Sequence, residues 1–76
     1  MNTKETVLEI FREIKPTKNL EGINDIVEGG YLDSFEIMAL ISNLTETFAI
    51  EIDIDEIIPE NFNAVEAIVA MVERLK

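Results

Sequence analysis

Asp33-Ser34-Phe35-Glu36-Ile37-Met38-Ala39-Leu40-Ile41-Ser42-Asn43-Leu44-Thr45-Glu46-Thr47-Phe48 is the stretch whose reading decides the fold. Ile37, Leu40, Ile41, Leu44 and Phe48 recur at three- and four-residue spacing, which marks one face of a helix. At about 100° per residue they fall within about 60° of a single direction, a core-facing stripe. Asp33 followed by Glu36 forms a capping-box pair, in which each side chain can accept the other residue's backbone N–H. The pattern predicts a helix over 34–48. On the same wheel Phe35 lies about 160° from the centre of the stripe and Met38 about 100°. Two large apolar side chains therefore point away from the core near the helix start. Either the preceding loop covers them, or they form a small docking patch with an adaptable methionine at its edge.

Upstream, Val7, Leu8, Ile10, Phe11 and Ile14 repeat the helical spacing. Asn2 with Glu5 caps them, and Lys15-Pro16 ends the segment, because the residue before a proline avoids the helical region. This predicts a first helix over about 3–15. Residues 16–32 hold Pro16, Gly22, Gly29 and Gly30 among apolar Leu20, Ile23, Ile26, Val27 and Leu32. They read as a long loop lying on the core, with one helical turn near 23–27. Downstream, Ala49-Ile50-Glu51-Ile52-Asp53-Ile54 alternates like a strand but has no second strand to pair with. It is expected to be an extended loop that buries its isoleucines. A short helix over 55–58, stopped by Pro59, should follow. Asn63 with Glu66 then suggests a third capping box, opening a last helix whose Val65, Ile68, Val69, Val72 and Leu75 share a face. The expected fold is all-α: a small four-helix bundle with three main helices, one short helix and a long first loop, forming a single domain over 1–76.

Composition limits the chemistry. The 76 residues carry 16 Asp and Glu against 6 Lys and Arg, a formal net charge of -10, with no Cys and no His. No thiol or imidazole is available for nucleophilic catalysis, a disulfide or a Cys/His zinc site. The acidity opposes direct binding to nucleic acid or to an anionic membrane surface, and favours basic protein partners. The start, Met1-Asn2-Thr3-Lys4-Glu5, lacks the pattern of a secretory leader, and no apolar run approaches the roughly 18 residues of a membrane span. A soluble, cytoplasmic monomer is the expectation. Acidic Asp53-Ile54-Asp55-Glu56 invites a calcium-loop reading, but the sixth and twelfth places of such a loop would be Ile58 and Ala64 instead of Gly and Glu. No metal site is expected.

Gly30-Tyr31-Leu32-Asp33-Ser34-Phe35, followed by the apolar-patterned helix through Phe48-Ala49-Ile50, resembles the phosphopantetheine attachment region of acyl carrier proteins and of peptidyl and aminoacyl carriers. The motif is Asp-Ser followed by a large apolar residue, at the end of a long loop and the start of the second helix. Length, helix layout, serine position and acidity extend the resemblance over essentially the whole chain. It implies that Ser34 receives 4'-phosphopantetheine from coenzyme A through a Mg-dependent phosphopantetheinyl transferase. The arm would then hold an acyl or aminoacyl group as a thioester, loaded by one enzyme and passed to downstream transferases or synthases. That fits a chain with no thiol of its own, since a thioester carrier must import one. Asp33 would cap the helix beside Ser34, and Phe35, Glu36, Met38 and Glu46 would meet partners. The protein itself would not be an enzyme.

Fatty-acid carriers usually have a second helix dense in Asp and Glu, whereas this one offers only Glu36 and Glu46, and Phe35 stands where Leu or Met is commoner. Both features resemble specialised stand-alone carriers of D-alanyl or peptidyl type. The rival reading is an unmodified acidic helical adaptor that binds a basic partner through Phe35 and Met38. In either case the charge is unevenly placed, with residues 19–36 and 49–60 each summing to -5 and no basic residue between Lys18 and Arg74.

Overall fold

The computed structural model describes residues 2–76; the chain start at Met1, read above for the lack of a leader, lies outside them. Four α-helices lie among the described residues: α1 (Thr3–Ile14), α2 (Ser34–Phe48), α3 (Pro59–Phe62) and α4 (Val65–Leu75). A 3-10 turn over Ile54–Glu56 precedes α3. No strand occurs among the described residues, so the alternating segment joins α2 to the 3-10 turn as an irregular connection over 50–53.

Periodicity and packing agree. Val7, Ile10 and Phe11 of α1, Leu40 and Leu44 of α2, and Val65, Ile68, Met71 and Val72 of α4 are buried together. Helix α1 packs on both α2 and α4, and the short α3 packs on α4. Leu20, Ile26 and Leu32 of the first loop enter the same cluster, so this loop lies on the core as expected. Exposed ion pairs tie the outer faces, Lys4 to Glu66 at 3.0 Å and to Glu21 at 3.2 Å, and Arg74 to Glu56 at 2.9 Å. The hydrogen bond from Arg74 holds the Glu56 carboxyl below its ordinary pKa, and Lys4 does the same for Glu66. Thr3, which donates to Glu73, is the main cause of the lowered Glu73 pKa.

Four expectations need correction. The single helical turn expected near 23–27 lies about two residues further on, where Gly29 N–H donates to Asp25 O at 2.6 Å and the chain turns over 26–30. Here a Cβ on Gly29 would lie 2.6 Å from the Asp25 carbonyl oxygen, so the turn requires glycine. Pro59 does not stop a helix over 55–58 but opens α3, because its missing N–H is no loss in a first turn. Asn63 is not the cap of α4. The cap position is Ala64, and the Asn63 side chain accepts from Val27 and Glu28 N–H at 3.0 and 3.1 Å, anchoring the first loop. Of the three alternating isoleucines, Ile50 is buried and Ile52 partly buried, but Ile54 is 83% exposed.

Candidate functional site

The first loop delivers the chain to α2 at Asp33, whose extended backbone (φ -86°, ψ 179°) suits a residue just outside a helix. The capping box is complete. Asp33 Oδ1 accepts from Glu36 N–H at 2.8 Å, and Glu36 Oε1 accepts from Asp33 N–H at 3.0 Å. Ser34 is therefore held as the first residue of α2, with its side chain exposed to solvent. The first turn leaves backbone N–H groups without intrahelical acceptors, and these favour negative charge nearby. With no imidazole in the chain, the Ser34 hydroxyl has no neighbouring His to activate it. That excludes a Ser–His nucleophile pair at this position.

Phe35 is 81% exposed and Met38 64% exposed, so the first loop does not cover them. They form an apolar patch on the open side of α2, next to Ser34. Glu36 is placed differently from the expected partner-facing acid. Its carboxylate turns to Lys15 at the end of α1, with Nζ 3.1 and 3.2 Å from its two oxygens. Lys15 thus steadies the capping box from beneath, a role that local pattern could not reveal because the partners are 21 residues apart. Glu46 is exposed but lies ten residues beyond Glu36, about 15 Å along the axis at 1.5 Å per residue. It belongs to the far end of α2, not to the Ser34 group.

Two hollows flank this surface. A shallow trough of about 410 Å³ lies between the end of α1 and α2, bounded by Glu13, Ile14, Asp33, Phe35 and Glu36. On the other side Ile37, Ile57, Ile58 and Phe62 line an apolar hollow of about 120 Å³. Ile54, Ile57 and Ile58 extend exposed apolar surface past α2; of these, only Ile54 is expected inside from the alternation.

A small helical bundle that presents an unactivated serine at a capped helix start, beside uncovered apolar side chains, has the architecture of an acyl-carrier-type protein. The comparisons narrow this. No family model matches the chain. It is 35% identical over 77 residues to the D-alanyl carrier proteins of Streptococcus pyogenes serotype M5 (strain Manfredo) and serotype M49 (strain NZ131), covering 100% of this chain and 98% of each relative. The same protein of serotype M1 matches to the same extent. The chain belongs to the carrier protein family of the acyl and D-alanyl type, and is a carrier, not an enzyme. No helix among the described residues is long and apolar enough to cross a membrane.

Proposed function

We propose that Ser34 is the attachment point of 4'-phosphopantetheine and that the chain, as one carrier domain, carries an aminoacyl group, D-alanine in the first instance, from a loading enzyme to an acceptor. The observation that carries the reading is the exposed Ser34 at the first residue of α2, fixed by the reciprocal bonds of Asp33 and Glu36. Full-length similarity to D-alanyl carriers and the nearly neutral middle of α2 support the choice of cargo.

In the attachment step Ser34 Oγ forms a bond to the phosphorus that bears pantetheine in coenzyme A. The P–O bond to the second phosphorus breaks, and adenosine 3',5'-bisphosphate leaves. The serine proton passes to a base on the transferase, since this chain has no His to take it. Free N–H groups of the first turn then face a phosphodiester. Lys15 offsets the charge of Glu36, which would otherwise repel that anion. When bound, the arm supplies the thiol that the chain lacks and holds the cargo as a thioester. Modification draws on coenzyme A, which places that step in the cytoplasm. Phe35 and Met38 fill a partner's apolar centre, while Asp33 and Glu46, exposed at the two ends of α2, meet its Lys or Arg side chains.

Intact-mass measurement tests this directly. After incubation with coenzyme A, Mg and a broad-specificity phosphopantetheinyl transferase, the chain should gain one phosphopantetheinyl group, and Ser34→Ala should gain none. The modified protein should then take up D-alanine from an ATP-dependent ligase. An unchanged mass with several transferases would overturn the reading in favour of an unmodified adaptor acting through Phe35 and Met38.

A further inference from the structure

Of the six cationic side chains, four are held in ion pairs: Lys4 with Glu21 and Glu66, Lys15 with Glu36, Arg74 with Glu56, and Lys76 with Glu73. Among the described residues Arg12 and Lys18 are in none, and both line the same open groove of about 420 Å³ between α1 and the first loop. The groove contains one acid, Glu21, whose carboxylate is 3.2 Å from Lys4 Nζ, a cation it shares with Glu66. In a chain of net charge -10 the groove's lining carries two cations against one acid.

Its shape is set by the chain around it. A turn through Pro16 and Thr17, closed by Lys18 N–H donating to Lys15 O at 3.2 Å, brings Lys18 to a position 5.4 Å over the Tyr31 ring. Arg12 projects from α1 opposite, exposed, with the partly buried Leu8 beside it as an apolar ledge. Asn19 uses its Oδ1 to accept from Glu21 N–H, which leaves its amide N–H groups to donate outward.

We propose that this groove is a docking site for an extended acidic segment of a partner polypeptide. The Arg12 guanidinium is a planar fork that matches one carboxylate with two parallel hydrogen bonds, and Lys18 supplies a point charge for a second. Thr17 and Asn19 give the peptide backbone polar contacts, and Leu8 takes a small apolar side chain. Separated cations with an apolar ledge suit a chain with spaced carboxylates. A flat anionic membrane fits less well, because it would bring its charge against the domain's many free acids as well as the groove. The groove excludes Ser34, so the proposal stands apart from the attachment reading and is tested on the unmodified protein.

The probe is a capped peptide, Asp-Leu-Glu-Asp-Leu-Glu, titrated into ¹⁵N-labelled protein at low salt. Saturable shifts should appear at the amides of Leu8, Arg12 and Thr17 to Glu21, and Arg12→Gln/Lys18→Gln should weaken binding by at least about tenfold. Both side chains are exposed and outside any ion pair, and Lys18 gives up only its exposed contact with the Tyr31 ring, so the variant should melt close to the parent; if it does not, Arg12→Gln and Lys18→Gln are measured singly. The Asn/Gln version of the peptide, inorganic phosphate and phosphatidylglycerol vesicles are run alongside. The proposal is overturned by absence of saturable shifts, by equal binding of the uncharged peptide, or by an affinity indifferent to the substitutions. Shifts of the same amides with phosphate or vesicles but not with the acidic peptide would equally overturn it.

Discussion

Phe35→Ala and Leu44→Ala, on opposite faces of α2, should separate docking from folding. Phe35 is 81% exposed, so only about a fifth of its ring is covered, about 40 Å² of a side chain near 200 Å². At about 25 cal/mol per Å² that cover is worth about 1 kcal/mol, and alanine's better helix propensity returns up to about 0.5 kcal/mol. The net cost should be about 0.5 kcal/mol or less, a fall in Tm of about 2–4 °C at about 4–8 °C per kcal/mol. Leu44 is 0% exposed, and its truncation leaves a cavity costing about 2–5 kcal/mol. A domain of this size has about 4–11 kcal/mol in total, so Leu44→Ala should melt at least about 8 °C lower. The assay is urea and thermal unfolding by circular dichroism, with kcat/KM of a D-alanyl-loading enzyme measured on the modified variants. Phe35→Ala should lower kcat/KM by about tenfold, as expected for an aromatic at the centre of a contact. If Phe35→Ala melted as low as Leu44→Ala, the ring would belong to the core. If loading were untouched at unchanged stability, the patch would not be a docking surface.

Three further outcomes follow from particular contacts. Asn63→Ala leaves the N–H groups of Val27 and Glu28 without their acceptor, which should cost about 1–2 kcal/mol and speed hydrogen exchange at those two amides while α1 stays protected. Ala49, just past α2, sits in the left-handed region at φ 55°, so Ala49→Gly should raise stability by up to about 1 kcal/mol, the relief of strain exceeding the entropy lost; a lower Tm would contradict this. Glu56 has its pKa lowered in the folded state chiefly by the hydrogen bond from Arg74. A lowered folded pKa gives stability that is present above the unfolded value and lost as pH falls through the folded one. The urea stability gap between the parent and Glu56→Gln should therefore be open at neutral pH and close as pH falls below about 4.3. A gap that stayed fully open in strong acid would contradict it.

What the sequence made legible was whatever acts within one segment. The capping box at Asp33 and Glu36 and the stripe from Ile37 to Phe48 need only neighbours three and four residues away, and both stand as expected. Asn63 and Glu66 present the same local pattern at α4, yet the Asn63 side chain serves N–H groups 36 and 35 residues away in the first loop. A cap signature shows that a side chain can satisfy a nearby donor, not that it lacks a better one across the fold. Pro59 is ambiguous for a related reason. The missing N–H that ends a helix also suits a helix's first turn, and burial of Phe62 in the core decides for the second. Alternation at Ile50, Ile52 and Ile54 reports an extended backbone but not how far along it the core reaches. Exposure of Phe35 and Met38 was likewise open, since the wheel shows that they leave the stripe but not whether the loop covers them.

The net charge of -10 invites the view that any basic surface will attract this protein, but the pairing pattern makes the attraction local. Lys15 takes up Glu36, and Arg74 takes up Glu56, so the acids left free around α2 are Asp33 at its start and Glu46, Glu51, Asp53 and Asp55 at and beyond its end. Between them lies the apolar Phe35 and Met38 surface. A basic partner is thus drawn to two ends with an uncharged contact in the middle, a geometry that fixes orientation as well as sign. Salt then acts on the same charges with opposite consequences. Screening weakens the pull between partner and acids and so slows association, while it relieves repulsion among the free acids and so stabilises the domain alone. Raising ionic strength from about 0.01 M to 0.1 M, where the Debye length falls from about 30 Å to about 10 Å, should lower the on-rate for a loading enzyme and raise Tm in one titration. An on-rate indifferent to salt while Tm climbs would mean that the acids shape only the domain's own stability and that the apolar patch alone recruits the partner.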